Sequence, residues 1–261
     1  MQIDARWIPQ RENNDSVARE LIQLRPDVIV ATGAAVYAAH NVAGNVPVVF
    51  GFSGDPVKAG FVSSLARPGG ERTGMSWMQL ELAAKRIDIL KEFKPGLKRI
   101  AVIANPEHPG EPQEREVSLD AARRQGMAMQ YLTATDASDL DRVFASLDRE
   151  RAEAIVSFPD YFTVNQAARI SELASQRRLP LIGGWDTMAD RGHLFSYGPD
   201  LRASASRLSY FVDRIVRGTR ASELPVELPT IVEFVINLKT ARAIGVTVPQ
   251  SLLLRADRVI E

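Results

Sequence analysis

Six short segments carry side chains that could recognise a small polar molecule. They are Ala31-Thr32-Gly33-Ala34, Gly51-Phe52-Ser53-Gly54-Asp55-Pro56, Asn105-Pro106, Phe158-Pro159-Asp160-Tyr161, Gly183-Gly184-Trp185-Asp186 and Ser196-Tyr197-Gly198. The chemistry on offer is binding. Small hydroxyls (Thr32, Ser53) beside Gly33 and Gly54 let a ligand approach exposed backbone N–H groups. The carboxylates of Asp55 and Asp160 suit an ammonium group, the Asn105 amide can donate and accept, and Tyr161, Trp185 and Tyr197 can wall an apolar body. Each also has an ordinary structural use. Asp55 before Pro56 reads equally as a helix cap, as do Asp186 and Asp200; Asn105-Pro106 reads as a turn, and the three aromatic residues as core or rim.

Catalytic chemistry finds no comparable support. The chain has no cysteine, which removes thiol catalysis and thiolate metal sites. GFSGD at 51–55 approaches a nucleophile elbow, but Asp55 stands where the second glycine is needed for the sharp turn. Of the three histidines, His40 falls in a helix, His108 in a loop and His193 at a strand start, all read as surface or lightly buried polar residues. G-x-x-x-x-G-K-[ST], G-x-G-x-x-G and H-E-x-x-H are all missing. The residues therefore predict no catalytic group, no metal and no cofactor. With 32 basic and 32 acidic residues the net charge is zero, which argues against nucleic acid and membrane surfaces as partners. The opening MQIDARWIPQ lacks the pattern of a secretory signal.

The elements that must position these groups alternate. Apolar runs predict strands at 3–7, 27–32, 46–51, 99–105, 128–133, 154–158, 179–184 and 193–197. Amphipathic stretches predict helices at 15–24, 34–43, 79–93, 112–125, 138–150, 164–177 and 201–217. This is the grammar of βα units on a parallel sheet, where ligands collect at the carboxyl ends of the strands. The breaker KPGLK at 94–98 marks a lobe boundary, and 218–230 separates off a tail read as strand 231–236, helix 238–244 and strand 252–254. In the helix 201–217, Leu201, Ala205, Leu208, Phe211, Val212 and Ile215 share one face.

The run VIVATGAAVYAAHNVAGNVPVVFGFSGDPVKAGFVSSLARPGGERTGMS resembles the ABC-transporter substrate-binding proteins of the group with tryptophan- and tyrosine-binding members. Further matches lie at 81–109 and 196–261, with a weaker one at 155–190. GDPV-x-x-G-x-V followed by RPGG-x-x-TG is the best local mark, and the resemblance covers essentially the whole chain. It implies an α/β type I periplasmic-binding fold of two lobes, each a parallel sheet flanked by helices. Residues 1–95 would form a first lobe incomplete at its N-terminus and 96–200 the second, with 201–261 supplying a crossing helix and return segments. It further implies a non-enzymatic role, capturing a small amino-acid-like ligand in an interlobe cleft for permease subunits in the membrane. Hydroxyls and backbone N–H groups would take the ligand carboxylate. On this reading Thr32, Ser53, Asp55, Asn105, Asp160, Trp185 and Tyr197 occupy cleft positions, and Gly33 and Tyr161 complete the candidate set. The implied location is periplasmic, or cytoplasmic if Met1 is the true start. A ligand-sensing module or a truncated, non-functional paralogue of the same fold is the alternative.

Overall fold

The computed structural model describes residues 2–6 and 14–261. The chain forms two α/β units, one from Met1–Trp77 with Leu201–Pro229, the other from Met78–Asp200 with Thr230–Glu261.

The first unit begins with α1 (Asn14–Gln23), β1 (Ile29–Thr32), α2 (Ala35–Val42), β2 (Val48–Phe52) and β3 (Arg72–Ser76). Its strands form a parallel sheet in the order β1-β2-β3, with Thr32 opposite Gly51 and Phe52 opposite Ser76. Central β2 reads VVFGF and is buried throughout, as a strand covered on both faces should be. The sequence reading contains no strand at β3, because RTGMS has little β propensity. Tertiary contacts make it one. Gly74 lies at φ 145°, and a Cβ there would sit 2.0 Å from the Phe50 carbonyl oxygen. Its neighbour Thr73 donates from Oγ1 to the Leu224 carbonyl at 2.6 Å. The strand expected at 3–7 does not form over 3–6, and Trp7 lies outside the described residues. Residues 2–6 are all exposed and so have no apolar face to bury; Arg6 reaches Glu20 of α1 instead, at 2.7 Å.

The second unit runs through α3 (Gln79–Phe93), β4 (Arg99–Ala104), α4 (Glu111–Arg124), β5 (Ala128–Thr133), α5 (Asp139–Glu150) and β6 (Ala154–Ser157). It continues with α6 (Tyr161–Asn165), α7 (Ala167–Gln176), β7 (Leu181–Gly183), α8 (Asp186–Asp190) and β8 (Phe195–Pro199). The chain then gives α9 (Leu201–Val216) and a 3-10 turn (Ala221–Glu223) to the first unit. It returns with β9 (Val232–Asn237), α10 (Leu238–Ile244), α11 (Gln250–Leu253) and β10 (Arg258–Ile260). The resulting sheet has the order β10-β9-β8-β7-β6-β4-β5, parallel except where β9 runs against β8.

Strand alternation divides the core of this unit. Ile100, Val102 and Val156 pack on one face with Ile87 and Leu90 of α3, while Ala101, Ile103 and Ile155 pack on the other with Leu140, Phe144 and Ile170. That packing puts α3 in the second unit, so the units change over at Trp77/Met78 and not at KPGLK. Leu97 within that breaker is itself fully buried, which makes the segment an ordinary helix-to-strand loop.

Three further differences have local causes. The helix expected at 164–177 starts earlier, because Asp160 caps it, and splits at Gln166 into α6 and α7. The strand expected at 252–254 is part of a helical turn that starts at Pro249: the Leu252 N–H donates to the Pro249 carbonyl at 3.1 Å, and the strand forms at β10 instead. On α9 the buried stripe is Ser204, Leu208, Phe211 and Ile215, whereas Ala205 is exposed.

Candidate functional site

In the first unit the ends of β1 and β2 lie side by side. The Gly33 N–H donates to the Gly51 carbonyl at 3.3 Å, with Gly33 at φ 60°, so Thr32-Gly33 turns away from the sheet at the level where β2 reaches Ser53. Thr32 is exposed. Ser53 is buried, and its Oγ has no hydrogen-bond partner among the described residues. Asp55 is half-buried and spends one carboxylate oxygen on the N–H groups of Val57 (2.9 Å) and Lys58 (3.2 Å). It caps a turn, not a helix, and leaves its second oxygen for other partners.

In the second unit the structure brings Asn105 and Asp160 together. Asn105 follows β4 and donates from Nδ2 to Asp160 Oδ2 at 2.7 Å, while its Oδ1 accepts from the Glu107 N–H at 3.0 Å. Asp160 follows β6 in a reciprocal cap: Oδ1 accepts from the Thr163 N–H at 2.8 Å, and the Asp160 N–H donates to Thr163 Oγ1 at 3.0 Å. Asp160 is 6% exposed. It is thus a nearly buried carboxylate whose hydrogen-bond donors are all neutral. Beside it Tyr161 is 59% exposed, Trp185 is buried at the end of β7 ahead of α8, and Tyr197 lies half-buried on β8 with its ring against Phe234.

Sequence reasoning missed the residue that ties these strand ends together. Arg86, in the middle of α3, is fully buried. Its Nε donates to the Tyr197 carbonyl at 2.9 Å and its Nη2 to Gln79 Oε1 at 2.5 Å. Gly184 and Gly198 are glycines because the strand ends converge here. A Cβ on Gly184 would meet Pro159 at 2.3 Å and Arg86 Nη2 at 2.8 Å, and one on Gly198 would lie 1.4 Å from the Gly184 carbonyl oxygen. Burial pushes the Arg86 guanidinium down to about 10, with the charge of Glu114 opposing, so it remains a cation at neutral pH.

Two histidines read as surface or lightly buried are core residues. His108 is 6% exposed and its Nε2 lies 3.0 Å from Glu114 Oε1. Burial works against its protonation, but the hydrogen bond and charge of Glu114, aided by Asp160 and Glu111, win and raise its pKa. His193 is fully buried with Nδ1 at 2.8 Å from Ser171 Oγ, and burial pushes it down to about 3, so it stays neutral. Glu111, whose N–H donates to the His108 carbonyl at 3.0 Å, accepts from Tyr131 Oη at 2.5 Å. No cluster of metal-ligating side chains occurs among the described residues.

Parallel-sheet units whose strand ends carry hydroxyls, amides, carboxylates and rings have the α/β architecture in which small ligands collect beyond the carboxyl ends of the strands. Residues 10–260 match the family model described as ABC transporter substrate binding protein, and the chain belongs to that family. It is 23% identical over 231 residues to a tyrosine-binding protein of Clostridioides difficile (strain R20291), covering 88% of this chain and spanning 66% of that protein's length. Among solved structures, a conserved domain protein of Vibrio cholerae superposes with a TM-score of 0.88 at 24% identity, covering 96% of this chain and 84% of that one. A Streptococcus pneumonia ABC domain in complex with L-Trp gives 0.83 at 21% identity, covering 96% and 86%. The ligand-free, open structure of a Clostridium difficile substrate binding protein with adhesive properties gives 0.67 at 20% identity, covering 97% and 84%. No helix among the described residues is long and apolar enough to cross a membrane.

Proposed function

We propose that this protein captures a small amino-acid-like ligand, with an aromatic side chain as the leading candidate, and delivers it to the permease of an ABC importer outside the cytoplasm. The observation that carries the reading is Asp160. A carboxylate 6% exposed, at a strand end, held by Asn105 Nδ2 and the Thr163 N–H and by no cation at ion-pair distance among the described residues, is organised to receive an ammonium group. Trp185, Tyr197 and exposed Tyr161 supply aromatic surface on the neighbouring strand ends. In the first unit, Ser53 Oγ, buried without a partner among the described residues, and the Thr32-Gly33 turn offer groups of the same polar kind. The names of the tyrosine-binding relative and of the L-Trp complex support an aromatic amino acid.

The test is a thermal-shift screen of the twenty amino acids followed by calorimetry on the hits. A ligand present at about a hundred times its Kd adds about 2.7 kcal/mol, which for a chain of this size raises Tm by roughly 5 to 10 °C. Tyrosine or tryptophan should head the ranking; a flat screen across all twenty would remove the proposal.

A further inference from the structure

Arg86 is the most costly group in the second unit unless something uses its charge. It is fully buried, it is a cation at neutral pH, and both of its hydrogen-bond acceptors, the Tyr197 carbonyl and Gln79 Oε1, are neutral. Its Nη1 has no hydrogen-bond partner, nor has Gln79 Nε2, and no carboxylate lies at ion-pair distance from it among the described residues. The carboxylate that acts on it most strongly, Glu114, has Oε1 on His108 Nε2 and leaves Oε2 without a partner among the described residues. Glu114 is therefore shared between two basic groups. Arg86 thus keeps a cation with no carboxylate of its own in a low-dielectric interior, where its field is poorly screened.

The position of that charge matters as much as its sign. The guanidinium fills the space beneath Gly184, next to Pro159, and grips the carbonyl of Tyr197. It thereby bonds β8 at Tyr197 and lies at Gly184, just past β7, where Pro159 from the end of β6 also comes close. We propose that Arg86 is a specificity-determining positioning residue, which selects carboxylate-bearing ligands by setting a fixed positive potential beneath these strand ends while holding their backbones in place. The inference rests on the amino-acid reading above and sharpens it: the carboxylate preference comes from a buried cation of the second unit, and hydroxyls and N–H groups complete the contact.

Calorimetry with four probes, L-tryptophan, L-tyrosine and the primary amide of each, separates a charge effect from a purely structural one. The proteins compared are the wild type, Arg86→Lys, Arg86→Met and the double variant Arg86→Met with Glu114→Gln, which removes both buried charges together and so protects folding if the single Met variant fails. The wild type should bind an acid over its amide by roughly tenfold or more, Arg86→Lys should keep most of that ratio, and the folded Met variants should fall to within about threefold. A role confined to stability would lower melting temperatures without moving the acid-to-amide ratio. An unchanged ratio in the double variant, confirmed as folded by circular dichroism, overturns the inference and leaves the function standing. A wild type that binds none of the four removes the aromatic ligand, and the acid-to-amide ratio is then read on the amino acid that heads the screen of twenty, with the same outcomes deciding the inference.

Discussion

Asp160 and Asp55 are the two candidate ligand-binding carboxylates, and the same isosteric change distinguishes them. Asp160→Asn keeps an acceptor for the Thr163 N–H but removes the charge, so affinity for an ammonium-bearing ligand should fall by about 2 to 3 kcal/mol, on the order of a hundredfold. Asp55→Asn likewise keeps the turn that its Oδ1 caps. Calorimetry showing the larger loss at Asp55 would transfer the ammonium role to the first unit. At this scale the sequence disclosed types better than partners. Asn105 and Asp160 were legible as strand-end polar groups, but their mutual hydrogen bond joins positions 55 residues apart and has no sequence signature. Arg86 lies in the middle of a helix, outside the strand ends where ligands collect. Its signal was present on α3, where it stands four residues from both Leu82 and Leu90 on the buried stripe, and a charged residue on an apolar stripe asks for a buried partner.

The elements that hold the site are fixed by backbone proximity. Gly198→Ala would set a Cβ 1.4 Å from the Gly184 carbonyl oxygen, a clash between two strand backbones that no side-chain rotation relieves. It should destabilise the second unit by more than about 4 kcal/mol or abolish its folding, measured by urea denaturation followed by circular dichroism. Retention of wild-type stability would mean that β7 and β8 can separate freely. Helices and apolar strands are the legible part: the amphipathic stretch 79–93, the apolar run 128–133 and the tail helix 238–244 match their elements to the residue. What stayed hidden were segments whose structure comes from their neighbours. RTGMS becomes β3 through Gly74 against Phe50, and β10 pairs with β9 although Arg258 and Val259 are exposed. Conversely, SLLL after Pro249 and Gln250 is apolar enough for a strand, but the proline carbonyl accepts a helical bond and Leu252 turns into the core.

For the molecule as a whole, two buried imidazoles should shape stability against pH in opposite directions. His193 is held near 3, below its unfolded value, so the unfolded chain binds the extra proton and stability is lost as pH falls from about 6.5, by about 1.4 kcal/mol per pH unit at most. His108 is raised, so its contribution is complete below about 6.5 and is lost as pH climbs through the folded value. Urea melts from pH 4.5 to 9 should therefore show an acid limb flattened by His193→Gln and an alkaline limb flattened by His108→Gln. If both limbs survive both substitutions, other groups set the curve. The interleaving of the two units also has a consequence for synthesis. The first unit draws on Leu201–Pro229 and the second on Thr230–Glu261, so a nascent chain that has emerged as far as Asp200 can complete neither. Through that interval β8 has no β9 beside it, and an unpaired strand edge lies open on the ribosome. Translation past Asn237 closes it, which makes the interval from Pro199 to Asn237 the stretch of elongation during which a chaperone would be most needed.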